Sequence, residues 1–227
     1  MGSPDSNSNS NSNSDSDIDS DIDTGDAVDR VVVLCTGNAA RSVMAGAMLE
    51  AAGTPVRVVT AGTHVVEHQP MSTRTRAVLA EVGIDAAHHR SRQLTEDHVE
   101  EAALIVAMAA EHVHYVRRRH PAAAARTATI AWLSDHLPTG PEPLVERVAA
   151  MNLVAVAPEV QGDVADPAGG TDDDYRACAK RLHALVARLA PRLGGTTIAL
   201  VNEPAGDDAA SRRHRPRRSR WGRRRSS

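Results

Sequence analysis

Apolar and polar positions along this chain switch between two periods, and the switching lays out an order of strands and helices. Val31-Val32-Val33-Leu34 is an unbroken apolar run, and residues 29–34 read as a buried strand. Met44, Ala47, Met48 and Ala51 then recur at helical spacing and predict a helix over 42–52. Val56, Val58 and Val59 mark a second strand over 55–61. Met71, Thr75, Val78, Leu79 and Val82 share one face of a helix over 71–82, and Gly83 is its stop. Thr95, ahead of Glu96 and Asp97, caps a short helix, and a buried strand follows over 103–108. A helix over 110–119 closes at Pro121, and 127–133 is a fourth strand candidate. Residues 141–156 have helical content, but Pro143 and the apolar run 153–157 leave their assignment open. In the helix over 172–189, Tyr175, Cys178, Leu182, Leu185, Val186 and Leu189 share one face. Strands alternating with helices predict an α/β fold, a parallel sheet covered on both faces.

Composition changes this picture at the two ends. The net charge of −3 averages an Asp/Ser/Asn tract over 1–28 against an Arg-rich segment over 211–227. Neither can bury enough apolar surface to fold, so both are expected to be disordered tails, 1–28 and 194–227, around one domain over 29–193. No apolar run is long enough for a membrane span, and the acidic start has no signal-peptide character. The chain's two cysteines, Cys35 and Cys178, are far apart and do not make a disulfide framework. The expected location is the cytoplasm. Lys180 is the only lysine beside many arginines, a mark of a GC-rich genome more than of function.

The chemistry concentrates in Cys35-Thr36-Gly37-Asn38-Ala39-Ala40-Arg41-Ser42, between the first strand and first helix. Amides of such a loop can turn inward on a tetrahedral oxyanion, and the helix dipole favours negative charge there. The same field favours the ionised form of a thiol, which suits Cys35 as a nucleophile. Arg41 adds a planar fork for two phosphoryl oxygens. Gly37 and Asn38 both tolerate the left-handed backbone that curls a loop. A thiolate facing bound phosphate, with arginine across it, is equipped for phosphoryl transfer through a cysteinyl-phosphate. A small buried cysteine at a strand end is the plain alternative.

This segment resembles the C-x-G-N-x-x-R-S signature of low-molecular-weight protein-tyrosine phosphatases and of the arsenate reductases that share their fold. Further matches follow in family order: Thr60-Ala61-Gly62-Thr63, His89-Arg90-Ser91-Arg92-Gln93 and Asp166-Pro167. The resemblance covers residues 29 to about 193. It implies a three-layer fold with a four-stranded parallel sheet in the order 2-1-3-4. It also implies Cys35 as nucleophile, Arg41 as phosphate fork, Asp166 as general acid and base, and residues 36–42 as the phosphate cradle. Ser42 would stabilise the thiolate, and Asn38 would hold the loop with His89 and Thr60 as partners. Asp163, Asp172, Asp173 and Asp174 are nearby rivals for the acid.

The mechanism so implied needs no metal and no organic cofactor. His64, His68 and His88 lack a carboxylate or cysteine at ligand spacing, so no metal site is expected. The chain departs from the family pattern at Ala40, which removes a second loop cysteine, and at Ala109, where relatives often carry an acid. Ala168-Gly169 and Val66 stand where phosphatases often carry aromatic walls. The leading expectation is therefore a phosphatase for phosphotyrosine proteins or small aryl phosphates, with substrate preference open. Arsenate reduction is second and would need an external thiol, since no cysteine lies between residues 80 and 100. A third reading is a phosphate-sensing or scaffold module whose Arg-rich tail binds polyanions weakly; a solvated tail paired with the acidic end is its plain alternative.

Overall fold

The computed structural model describes residues 28–196; residues 1–27 and 197–227, and with them most of the expected tails, lie outside the described residues. The elements run β1 (Arg30–Cys35), α1 (Arg41–Ala51), β2 (Arg57–Gly62), α2 (Thr73–Glu81), α3 (Glu96–Glu100), β3 (Ala102–Ala107) and α4 (Ala110–Arg119). β4 (Thr127–Thr129), α5 (Ile130–His136), α6 (Leu144–Ala150) and α7 (Asp172–Leu189) complete them, with short 3-10 turns between. Four parallel strands form one sheet in the order β2-β1-β3-β4, as the resemblance implied.

Alternation along the central strands builds two cores. Val31 and Val33 of β1, with Leu104 and Val106 of β3, face α1, α5, α6 and α7. Val32, Leu34 and Ile105 face the other way, against Val99 of α3, Val116 of α4 and Ala123. Both inner strands are buried on both faces, which is why they read as continuous apolar runs. α7 is fixed at its start by a reciprocal cap. The Thr171 hydroxyl accepts from the Asp174 amide, and the Asp174 carboxylate accepts from the Thr171 amide.

Two sequence assignments change. The fourth strand stops at Thr129, and 130–136 is helix, because the Thr129 hydroxyl caps α5 by accepting from the Trp132 amide. An apolar run such as Ile130–Leu133 fits a buried strand or a buried helix equally, and the cap decides. In the open stretch, α6 starts after Pro143, and Asn152 ends it in the left-handed region at φ 47°. At the far end Thr196 donates from its amide to the Ala52 carbonyl, closing the chain onto α1.

Leu182 of α7 is fully buried in the larger core. Leu182→Ala is expected to destabilise the fold by about 3 kcal/mol, read as a lower denaturant midpoint at unchanged m-value.

Candidate active site

β1 delivers Cys35 to the carboxyl edge of the sheet, and α1 begins at Arg41, so residues 36–40 form a loop over a helix N-terminus. Asn38 takes the left-handed conformation, at φ 51°, and Gly37 does not. The Asn38 carboxamide donates from Nδ2 to Ser42 Oγ at 3.0 Å and accepts through Oδ1 from the Arg92 amide. Ser42 Oγ in turn lies 3.0 Å from Cys35 Sγ, with both residues buried. Asn38, Ser42 and the thiol are thus one hydrogen-bonded chain.

The loop's carbonyls turn outward to surrounding elements. Cys35 O accepts from the Thr63 amide and Thr36 O from the His64 amide, just beyond β2. Asn38 O accepts from His89 Nε2 at 2.9 Å, and burial pushes the His89 ring toward its neutral form. Ala39 O accepts from Thr75 Oγ1 at the start of α2. Gly62 makes this approach possible: a Cβ there would lie 2.5 Å from Thr36 O and 3.0 Å from the Asn38 amide nitrogen.

Arg41 is buried and connects the loop to the segment after β4. Its NH1 donates to Val164 O at 3.3 Å, and its NH2 to Asp166 Oδ2 at 2.5 Å and to Thr36 Oγ1 at 3.1 Å. Asp166 sits at the surface, with its other oxygen accepting from the Ala168 amide and Pro167 buried behind it. The rival carboxylates are engaged elsewhere. Asp163 accepts from the Ala110 amide at the start of α4, Asp172 pairs with Arg74, Asp173 with Arg176, and Asp174 caps α7. Ala109, where an acid was noted as missing, is the extended residue before α4, and Asp163 brings its carboxylate there from the facing loop.

Thr60 is the one expected site residue that stands apart. It pairs with Val33 in the sheet and points at α1, where a Cβ on Gly46 would lie 2.5 Å from its methyl. Its role is packing of α1 on β2, and it makes no hydrogen bond to Asn38. Sequence reading missed the Thr36 side chain, which hydrogen-bonds His112 Nε2 at 3.0 Å and reaches Glu111 Oε1 at 3.4 Å. Cys178 faces the core of α7, where burial pushes its thiol up to about 11.

The rim is open. Val66 is 75% exposed, and Ala168 and Gly169 are exposed beside Asp166. A cleft of about 390 Å³ adjoins this loop, lined by Val164, Asp166, Pro167, Ala168, Cys178 and Arg181. Among the described residues no group of three or more His, Cys, Asp or Glu could hold a metal ion, and no helix is long and apolar enough to cross a membrane.

A parallel sheet with a Cys-to-Arg loop at its carboxyl edge defines a phosphatase scaffold of the cysteine-loop class. The model of the low molecular weight phosphotyrosine protein phosphatase family matches residues 30–143, and the chain belongs to that family. A protein-arginine-phosphatase of Geobacillus stearothermophilus is 35% identical over 165 residues, covering 72% of this chain and 95% of the relative. A probable low molecular weight protein-tyrosine-phosphatase of Ralstonia solanacearum is 36% identical over 41% of this chain and 65% of its own length. Among solved structures, the Geobacillus stearothermophilus arginine phosphatase superposes with TM-score 0.61 at 34% identity, covering 73% of this chain and 92% of that one. A low molecular weight protein tyrosine phosphatase from T. tengcongensis does so with TM-score 0.57 at 28% identity, covering 72% and 99%.

His112 carries a pH consequence. Burial, with the Arg41 charge second, lowers its pKa from 6.5 to about 4, against the opposing pull of Asp166 and Asp163. The unfolded chain takes up a proton near pH 6.5 that the folded chain refuses until about pH 4. Stability from this residue is therefore complete above pH 6.5 and lost as pH falls toward 4, by on the order of 3 kcal/mol. Denaturant titrations between pH 7 and 4.5 are expected to show a shallower pH slope in His112→Gln than in the wild type.

Proposed function

We propose that this protein is a phosphoprotein phosphatase that works through a cysteinyl-phosphate on Cys35. The observation that carries the reading is the convergence on one loop: a thiol hydrogen-bonded to Ser42, an arginine at the loop's far end, and Asp166 on that arginine. Cys35 Sγ attacks phosphorus while the bond from phosphorus to the leaving group breaks. Asp166 gives its proton to the departing atom. Arg41 and the amides of residues 36–41 hold the equatorial oxygens as charge develops on them. Asp166 then takes a proton from water, the oxygen attacks phosphorus, the S–P bond breaks, and inorganic phosphate leaves with Cys35 restored. In the resting protein Asp166 occupies Arg41, so substrate oxygens take the carboxylate's place on the guanidinium and free Asp166 to face the leaving group.

The leading substrate class is phosphotyrosine-type esters. Phosphoarginine on protein is the second, and two observations favour it: the rim offers no aromatic wall at Val66, Ala168 or Gly169, and the arginine phosphatase relative matches over 95% of its length. A P–N bond also needs a protonated leaving group, so the same acid serves both. Arsenate reduction would need a thiol from outside, since Cys178 is buried, protonated and on α7. A nucleophilic Cys35 requires a reducing compartment, and we place the protein in the cytoplasm on that ground. Binding of polyanions by the Arg-rich tail is a separate proposal, read by salt-dependent binding lost on deleting residues 207–227.

Hydrolysis of p-nitrophenyl phosphate near pH 6 tests the chemistry, with peptides bearing phosphotyrosine and phosphoarginine as the comparison. Cys35→Ser is expected to lose turnover by about a thousandfold or more while still binding vanadate. Asp166→Ala is expected to slow esters of poor leaving groups by about a hundredfold and p-nitrophenyl phosphate far less. Equal slowing of both would remove Asp166 from the acid role.

A further inference from the structure

His112 is the third residue of α4 and is 1% exposed, yet its imidazole is not a packing group. One ring nitrogen, Nε2, lies 3.0 Å from Thr36 Oγ1. The other, Nδ1, is buried, and the Ala109 carbonyl is the backbone group that acts on the ring. A leucine would fill such a site without leaving a polar atom unsatisfied. The fold instead buries a polar ring at the floor of the phosphate loop.

Hydrogen-bond bookkeeping shows what the contact does. Arg41 NH2 already donates to Thr36 Oγ1 at 3.1 Å, so the hydroxyl's own proton must go elsewhere. His112 Nε2 is the nearer acceptor, and Glu111 Oε1, 3.4 Å away and on an exposed side chain, is the farther. A neutral ring accepting at Nε2 makes the Thr36 oxygen a stronger acceptor for the guanidinium. The groups facing the ring are Arg41 from α1, Asp163 and Asp166 from the acid segment, and Glu111 beside it on α4. The ring stays neutral among them because burial and the Arg41 charge outweigh the carboxylates.

We infer that His112 and Thr36 form a positioning pair that holds Arg41 in register with the oxyanion cradle. When an oxyanion displaces Asp166 from NH2, Thr36 and the Val164 carbonyl are the contacts that keep the guanidinium plane aimed at the loop. The two side chains act through Arg41, while the Thr36 amide keeps its own place in the cradle. This deepens the phosphatase reading and rests on it.

The test uses the full chain with vanadate and inorganic phosphate as probes and p-nitrophenyl phosphate for turnover. His112→Leu and Thr36→Val are each expected to weaken vanadate inhibition about tenfold and to lower kcat more than they raise KM. His112→Gln, which keeps an amide near the Nε2 position, is expected to recover most of that loss. The double variant is expected to be no worse than the weaker single, since both remove one contact. A merely structural histidine would reduce the folded fraction, lowering apparent kcat with the vanadate constant unchanged. That result overturns the proposal, as do losses from the two single variants that multiply in the double. If His112→Leu does not fold, Thr36→Val against His112→Gln decides: an unaltered vanadate constant in Thr36→Val overturns the pair. A wild-type protein that neither binds vanadate nor turns over substrate overturns the phosphatase reading itself, a failure distinct from these.

Discussion

The outward turn of the loop carbonyls is the constraint on which the site depends. A curled loop can offer amides to an anion only if its carbonyls find donors on the opposite side. Here the donors come from several different parts of the chain. Thr63 and His64 serve Cys35 and Thr36, His89 serves Asn38, Thr75 serves Ala39, and Met44 of α1 serves Ala40. Each of these donors is placed by an element with its own reason to be there. β2 ends in Gly62, which lets the backbones meet, and α2 starts at a Ser72 cap that also fixes Thr75. The anion cradle is therefore a product of the whole carboxyl edge of the sheet, not of eight residues.

The acid segment is held by the same economy of backbone contacts. The Thr129 amide at the end of β4 donates to the buried Gln161 side chain, and the Thr129 hydroxyl donates to the Gln161 carbonyl. Val164 donates from its amide to Met108 O just beyond β3, and its carbonyl accepts from Arg41. Asp163 closes the start of α4. With these contacts fixed, the chain delivers Asp166 to Arg41 and leaves the neighbouring aspartates to caps and surface pairs. Competition among five carboxylates is settled by where backbone amides and arginines need them, before any catalytic requirement enters.

Legibility in the sequence followed the distance between partners. Cys35, Arg41 and Ser42 stand within one loop, so their spacing alone carried the chemistry. β1 was readable as a short unbroken apolar run, and α7 because one strong helical period runs through it. Asp166 was readable only through its dipeptide and its order after the other motifs. His112 gave no signal, because its partner is 76 positions away and a histidine on an amphipathic helix looks ordinary. Thr60 was placed at the loop although strand alternation speaks against it. It sits opposite Val33, so it shares Val33's side of the sheet and faces α1. The 130–133 run failed for a different reason: an all-apolar segment has no polar face to reveal its period.

The loop and the rim obey different physics, and that separates chemistry from substrate choice. Apart from the exposed Gly37, the loop residues are tied by hydrogen bonds to surrounding elements, so a change there disturbs neighbours on several elements at once. The rim residues Val66, Ala168 and Gly169 are exposed, and the hydrogen bonds of Val66 and Ala168, to Ser91 and Asp166, use the backbone and leave the side chains free. Small side chains at those places leave room for a leaving group that is flat and aromatic or one that is long and cationic. Glu111 stands at the same mouth with its side chain 66% exposed, and its charge favours a cationic group over a neutral ring by a margin that salt reduces. On the proposed reading, affinity for the phosphoryl group comes from the buried cradle, so preference between the two classes rests on exposed contacts, each worth about a kcal/mol or less. Such a site discriminates by small differences in kcat/KM more than by exclusion, and a few substitutions on the rim suffice to redirect it while the cradle stays as it is.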